Sequence, residues 1–369
     1  MTDATSAALS RLTIDLGAVR RNYRRLLAEL TGVPSAAVVK ADAYGLGADR
    51  VAPALWDEGC RIFFVATLDE AVRLRSIVPE ATVCCLNGLL SGTEEVFLEH
   101  RIVPVLNALE QIARWRMAGE RIGRELPALL HVDTGISRLG LDEDELDWVL
   151  ETPSVLTGID WLYVMSHLAS ADEPANPMNA EQLARFRDLR AVLPRKMKAC
   201  LANSSAIFLG TSYHFDLARP GIGLYGGRPN ADIANPLECP IRIEGRILQL
   251  RTVKAGRTVG YGGAWKAERD SRIATVAAGY ADGYLRSLSN VGVVALGDRL
   301  CRVVGRVSMD MITVDITDMP LSELSPGAFV EVLGPTVTPD GAADAAGTIG
   351  YELLTSLGGR YKRHYVDTA

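Results

Sequence analysis

The 369-residue chain contains no apolar run long enough to span a bilayer, so a membrane-embedded protein is not expected. Its opening residues, Met1-Thr2-Asp3-Ala4-Thr5-Ser6, are small and polar. They show no basic stretch followed by an apolar core, which argues against a secretory signal and for a cytoplasmic location. The six cysteines (Cys60, Cys84, Cys85, Cys200, Cys239, Cys301) form no CxxC pair, and the five histidines show no metal-ligand spacing such as HExxH. No metal is therefore expected, and the cysteines read as buried, reduced thiols. Positive charge is not in excess either: the net charge of −6 excludes a broad electrostatic footprint for nucleic acid. No internal repeat appears, and the only biased tract is a Gly/Ala/Asp loop at 340–347.

What is present is ordinary globular composition, 48% hydrophobic and 23% charged, in a length that suits two domains or a barrel with an appendage. Leu12-Thr13-Ile14 reads as a strand and Asp15 as an N-cap. Leu16, Val19, Tyr23, Leu26 and Leu30 then recur at helical spacing. From residue 36 onward, short apolar runs end near 40, 66, 86, 106, 132, 166, 202 and 218, most followed by a helical pattern. The runs are continuously apolar rather than alternating, as strands covered on both faces should be. Eight such units predict a (β/α)₈ TIM-type barrel over residues 11–235, with an open doubly wound sheet as the alternative. Near residue 236 helical periodicity fades. The runs Ile241–Val253, Arg272–Ala278, Val291–Ala295, Arg302–Val307, Met311–Ile316 and Phe329–Leu333 predict a C-terminal mostly-β domain, 236–369, with residues 1–14 as a candidate addition to it. Thr348–Leu357 reads as a short helix.

In a barrel the strand C-termini share one face, and chemistry collects there. The apolar runs end on Lys40, Asn87, Asn107, His131 with Asp133, His167, Asn203 with Ser204, and Arg219. A lone strand-end lysine either snorkels to water or, desolvated, forms a Schiff base with a carbonyl. Asn203-Ser204-Ser205-Ala206 offers hydroxyls and N–H groups to an anion, and Arg219-Pro220-Gly221-Ile222-Gly223-Leu224-Tyr225-Gly226 follows the eighth run. Gly221–Gly226 matches GxGxxG, but Gly227-Arg228-Pro229-Asn230 follows in place of the helix that a dinucleotide site needs. A lysine amine and a phosphate cradle on one barrel mouth suggest pyridoxal 5'-phosphate. An arginine facing its pyridine nitrogen cannot give up a proton to it, which makes a weaker electron sink suited to simple proton exchange.

At this point the chain resembles the bacterial alanine racemases, from about residue 11 to its end. The motifs that carry the resemblance are Val38–Gly45 (VVKADAYG), Asp133–Gly140 (DTGISRLG), Arg219–Gly226 (RPGIGLYG), Gly260-Tyr261-Gly262, Gly279–Gly283 (GYADG) and Gly305–Asp310 (GRVSMD). The resemblance implies that Lys40 bears the cofactor and is the base for D-alanine. Tyr261, from the partner in a head-to-tail homodimer, is then the opposing base for L-alanine. It implies that His167 tunes this pair and that Arg219 faces the pyridine nitrogen. Tyr44, Ser204, Gly221, Ile222 and Tyr351 would hold the phosphate. Arg138 and the Met309 N–H would hold the substrate carboxylate, and Tyr280 and Tyr351 would narrow the entrance. The chain departs from many members at His131, where they carry a carbamylated lysine that orients the motif arginine. There His131, a bound anion or another side chain is expected to position Arg138. Two other readings stand beside racemisation of alanine: a related barrel enzyme (a decarboxylase or a racemase of broader specificity), and a non-catalytic pyridoxal phosphate carrier that needs Lys40 but not Tyr261.

Overall fold

The structure, a computed structural model, describes residues 8–194, 196–320 and 324–369, so the leading Met1–Ser6 lies outside the described residues. The chain forms two compact units, one of residues up to Ala18 with Glu238–Ala369, the other of Val19–Leu237. It begins with β1 (Ser10–Asp15), a strand of the first unit, and the helix Leu16–Leu30.

In the Val19–Leu237 unit, seven strands pair in parallel in chain order: β2 (Ala37–Val38), β3 (Ile62–Val65), β4 (Thr82–Cys85), β5 (Ile102–Leu106), β6 (Leu126–His131), β7 (Ile159–Met165) and β8 (Lys198–Cys200). β5 is buried at every residue, as a strand with both faces covered must be. Helices Ala48–Asp57, Leu68–Ile77, Glu94–Glu99, Leu109–Ile122, Glu143–Glu151 and Met178–Val192 lie between them in the chain. Two of these helices start in full capping boxes, Thr67 with Glu70 and Asp142 with Glu145, and Leu109–Ile122 ends at Gly123 in the left-handed region (φ 70). Trp115, 1% exposed, packs edge-on to Phe97 at 5.9 Å between ring centres. Truncating such an anchor to alanine costs about 3–5 kcal/mol.

The expected eighth strand, near 215–218, contracts to a parallel bridge between Ala218 and Ser35. Phe215 at φ 51 breaks the extended run, and Pro220 has no N–H to extend the ladder. The segment still closes the barrel: Ala36 and Val38 donate to Ala218 O and Pro220 O (both 2.9 Å), and Ala218 donates to Pro34 O (3.1 Å).

The other unit is built on β9 (Ile241–Val253), which pairs antiparallel with β1, β12 and β16. Its strands continue as β10 (Thr258–Val259), β11 (Trp265–Lys266), β12 (Ser271–Val276), β13 (Val293–Leu296), β14 (Arg299–Arg302), β15 (Ile312–Asp315), β16 (Phe329–Leu333) and β17 (Lys362–Val366). β17 lies parallel to β1. Gly245 in β9 is needed for close approach, since a Cβ there would stand 2.8 Å from Ala277 O where the β12 register slips.

Two expectations are corrected. The run Arg302–Val307 is not the strand; β14 lies earlier because the two-residue turn Gly297–Asp298 starts it at Arg299, opposite Leu296. The tract at 340–347 is not a loop but the helix Pro339–Ala346. Thr338 caps it by accepting Gly341 N–H (3.1 Å), and its alanines favour the helix. The expected short helix spans Gly350–Thr355. Among the described residues no helix is long and apolar enough to cross a membrane. The six cysteines are unpaired, and all but Cys239 are buried.

Candidate active site

Lys40 lies just beyond β2, after Val39, and the chain then does something its residue types do not announce. Ala41, Asp42, Ala43 and Tyr44 hold φ of 52, 55, 54 and 54°, a left-handed helical turn without a glycine inside it. Ala43 N–H donates to Val39 O (2.9 Å) and Gly45 N–H to Ala41 O (2.8 Å). Each such residue costs about 1–2 kcal/mol, and backbone strain of this kind collects at functional sites. The Ala-Asp-Ala-Tyr composition would equally suit an ordinary right-handed helix. Tyr44 is buried and stacks on Tyr225 at 4.7 Å, while Tyr225 Oη donates to Val38 O (3.0 Å).

Around Lys40 the barrel unit gathers positive charge. Burial lowers the Lys40 ammonium from its ordinary pKa, with Arg138 and then Arg219 adding to the effect and Glu70 opposing it. His131 is pushed down to about 4, first by burial and then by Arg219 and Arg138, against Asp133. His167 is driven well below its usual value by burial, then by Arg219, Arg138, His131 and Lys40. Both imidazoles are therefore neutral, and the guanidinium groups of Arg138 and Arg219 supply the lasting positive charge. Such a mouth favours an anion.

Arg219 is 3% exposed. Its Nη2 donates to Ser166 O (2.6 Å) and its Nε to Cys200 Sγ (3.0 Å). Ser204 Oγ accepts the N–H groups of Gly221 (2.9 Å) and Gly223 (3.0 Å), which leaves its own proton to donate. A Cβ on Gly221 would stand 2.3 Å from Tyr44 Oη. Gly221 thus keeps room between the phenol and the loop that continues into Ile222. Arg138 projects from a loop fixed by Asp133, whose carboxylate accepts the N–H groups of Gly135 (2.8 Å), Ile136 (2.9 Å) and Ser137 (2.8 Å). Arg138 itself is exposed and makes no hydrogen bond or ion pair among the described residues. At the position of the family's carbamylated lysine, His131 binds Asn107 Oδ1 through Nδ1 (2.7 Å), and its buried Nε2 has no partner.

Tyr261, Tyr280, Met309 and Tyr351 belong to the other unit, and there they are exposed: 71, 44, 52 and 41%. Their backbones are held closely. A Cβ on Gly279 would meet Met309 O at 2.3 Å, and one on Gly283 would meet Ser356 O at 2.4 Å. The turn bearing Tyr280 therefore lies against both the Met309 loop and the chain that leaves the Gly350–Thr355 helix. Gly260 adjoins Arg306 in the same way, with 3.2 Å from its Cβ position to Arg306 N.

The residues passed over in the sequence are Glu70, Cys200, Ser166 and Tyr225. Cys200 read as a core thiol, and nothing in its surroundings signals that it accepts from Arg219. Glu70 lies inside a helix, away from the end of any apolar run, and nothing in the sequence singles it out. Among the described residues no group of three or more His, Cys, Asp and Glu could hold a metal.

These features coincide with similarity to known proteins. The family model described as "Alanine racemase, N-terminal domain" matches residues 14–229, and "Alanine racemase, C-terminal domain" matches 241–365. The alanine racemase of Brucella abortus is 49% identical, covering 98% of this chain and 94% of that protein. A protein of Agrobacterium fabrum named as a catabolic alanine racemase is 48% identical over 99% of this chain and 94% of its own. The solved structure of the Bartonella henselae alanine racemase, with covalently bound pyridoxal phosphate, superposes with a TM-score of 0.93 at 40% identity, covering 97% of this chain and all of that one.

Proposed function

The chain belongs to the alanine racemase family, and from that premise we propose how its own residues interconvert L- and D-alanine. The reaction is alanine racemisation and the cofactor is pyridoxal 5'-phosphate. The residues present fit that group: a desolvated lysine, a buried arginine, the Ser204 hydroxyl with a proton to give, and the space beside Tyr44 that a Cβ on Gly221 would fill. Lys40 would hold its carbonyl carbon and Arg219 its pyridine nitrogen. Tyr44, Ser204, Gly221, Ile222 and Tyr351 would hold its phosphate. When bound, the cofactor withdraws electrons from the α-carbon and so makes its proton labile.

The chain's residues do the rest. Arg138 and the Met309 N–H grip the substrate carboxylate and set the α-carbon between two bases. Lys40, desolvated and crowded by arginines, is held at a pKa suited to taking a proton and giving it back. Tyr261 serves the opposite face, so one face loses a proton while the other gains one, and the two exchange roles with direction. His167, neutral among cations, tunes the pair. Tyr280 and Tyr351 limit the side chain to a small one. Exposed tyrosines and a methionine on one unit mark a surface meant to be covered, which supports a head-to-tail homodimer in which this unit completes the partner's barrel. The net charge of −6 supports the reading that nucleic acid is not a partner.

The observation that carries the residue assignment is the partly buried Lys40 amine beside Arg138 and Arg219 on a strained turn. The test is a racemisation assay on L-alanine, D-alanine and other small amino acids, with and without added pyridoxal 5'-phosphate. Borohydride reduction and peptide mass analysis then locate the lysine that held the cofactor. Rapid cofactor-dependent racemisation of alanine with the label on Lys40 is expected. A label elsewhere would overturn the assignment.

A further inference from the structure

We propose that Glu70 is a positioning residue for Lys40: it caps the left-handed turn that carries the lysine and sets the direction of its amine. The inference rests on the reading of Lys40 given above. Glu70 is the third residue of the helix Leu68–Ile77, where a capping box uses it to accept one N–H, that of Thr67 (3.2 Å through Oε2). The same oxygen also takes Ala66 N–H (2.8 Å). The other oxygen, Oε1, takes the N–H of Ala41 at 2.6 Å. One carboxylate thereby joins the residues that follow two neighbouring barrel strands, and the shortest of its three bonds goes to the residue next to Lys40.

Ala41 needs this bond for a definite reason. The bonds inside the left-handed turn begin with Ala43 N–H to Val39 O, so the Ala41 N–H precedes them and finds no carbonyl in the turn. A right-handed helix start has the same orphan donors, and a side-chain oxygen commonly meets them. Here the cap comes from another helix, 29 residues on. Asp42 does a parallel job at the far side, accepting Ala48 N–H (2.8 Å) where the next helix begins. One carboxylate therefore holds the start of the strained turn, and another, from within it, ties it to the helix that follows. Of the charged groups acting on the Lys40 amine, Glu70 is the acidic one, set against Arg138 and Arg219.

A helix cap with no link to the site would alter stability and nothing else, and Thr67→Ala provides that comparison because it removes the other half of the box. The experiment uses the full-length holoenzyme with Glu70→Gln, Glu70→Asp and Thr67→Ala. It measures cofactor affinity, kcat and KM across pH, melting temperature, and the borohydride label. Glu70→Gln keeps size and one acceptor but loses the charge. It should lower kcat/KM by about ten- to a hundredfold, the worth of a hydrogen bond to a charged group, weaken cofactor binding, and move the limb of the kcat profile that belongs to Lys40 to lower pH. The sign follows because a lost negative charge disfavours the ammonium. Glu70→Asp keeps the charge but is too short to reach both strand ends, so it should weaken cofactor binding while that limb stays in place. This variant carries the test if Glu70→Gln does not fold. Thr67→Ala should lower the melting temperature and leave affinity and pH profile as in the wild type. A Lys40 label in every chain, with the Glu70 variants matching Thr67→Ala in affinity and pH profile, would overturn the proposal alone. A wild-type label on another residue would overturn the reading of Lys40, and the proposal with it.

Discussion

The mouth of the barrel and the loops of the β unit solve opposite problems. At the mouth, the side chains of Arg219, Ser204 and Tyr44 are fixed from within the unit. Arg219 is buried and doubly hydrogen-bonded, Ser204 is clamped by two N–H groups, and Tyr44 is stacked on Tyr225. In the β unit the loop backbones are fixed, while the side chains of Tyr261, Tyr280 and Met309 stand exposed. Glycines let the Tyr280 and Met309 loops touch, yet Tyr261 stands 71% exposed. A site that has to desolvate charge must finish its own walls, whereas a surface that completes something else needs only correct placement of what it presents. The difference is what the proposed contribution of Tyr261, Tyr280 and Met309 to a partner would require, with rigidity placed in their main chain.

The largest test of this contrast is chemical. Tyr261→Phe should lower racemisation about 10²- to 10⁴-fold, the range of a general acid–base group, while cofactor affinity stays as in the wild type. Lys40→Ala should lose both. Mixing the two inactive chains under exchange conditions should restore activity, because one barrel in the mixed dimer then keeps Lys40 and receives Tyr261. If the mixture stays inactive while mixed dimers form, the two regions do not serve one site across a dimer.

The next largest effect belongs to the barrel unit alone. His131 has its folded-state pKa depressed to about 4 by burial and by Arg219 and Arg138. The unfolded chain binds a proton near pH 6.5, whereas the folded one does not until about 4. Stability is then fully present above pH 6.5 and is lost as pH falls toward 4, by up to about 3 kcal/mol for this group, with His167 adding in the same direction. Urea unfolding of the cofactor-free chain across that window measures the slope. A His131→Asn chain should show a flatter dependence, and an identical slope in the two chains would remove His131 from the account.

A smaller effect concerns the cradle. Gly221→Ala sets a methyl 2.3 Å from Tyr44 Oη, and the stack on Tyr225 restricts how far the phenol can retreat. φ at Gly221 is −119°, outside the left-handed region that only glycine enters freely, so the conflict drawn on here is the steric one. Overpacking of this kind costs about 1–3 kcal/mol, which should appear as weaker binding of pyridoxal 5'-phosphate, with Gly223→Ala (3.2 Å from Ser204 Oγ) milder. Equal cofactor affinity in all three chains would show that the loop does not border the phosphate.

The same contrast explains what was legible in the sequence. The continuous apolar runs and intervening periodicity marked seven strands and their helices because burial on both faces leaves a compositional trace. The eighth did not register as a bridge because its shortness depends on Phe215 at positive φ and on Pro220. Lys40, Arg219 and Ser204 could be named because they end apolar runs. The left-handed turn could not, since Ala-Asp-Ala-Tyr holds no glycine and only Asp42 visits that region readily; the carboxylate of Glu70 on Ala41 N–H and that of Asp42 on Ala48 N–H hold it. The tyrosines of the β unit were found only through motif resemblance. A tyrosine between glycines carries no local signal of a role played on another surface, and the Arg360 network beside Tyr280 carried none at all.

That network gives the smallest effect and tests whether the β loops need their rigidity. Arg360 meets Asp282 with two bonds (Nε–Oδ1 2.8 Å, Nη2–Oδ2 2.9 Å) and Asp310 with a third (2.6 Å). Asp282 in turn accepts Gly279 N–H (2.9 Å), so one guanidinium ties the turn before Tyr280 to the residue after Met309. Asp282 is 5% exposed and Arg360 about half, so the pair is partly screened and its worth is modest. Arg360→Gln should therefore raise KM for alanine about two- to fivefold, the scale of a half-exposed ion pair, with kcat and cofactor affinity changed less, because only the loops that would grip substrate are loosened. Asp310→Asn removes a single arm and should give part of the same shift. If Arg360→Gln lowers kcat instead and leaves KM unchanged, the network acts on the placement of Tyr261, and the division between a self-sufficient barrel mouth and a presenting surface has to be drawn differently.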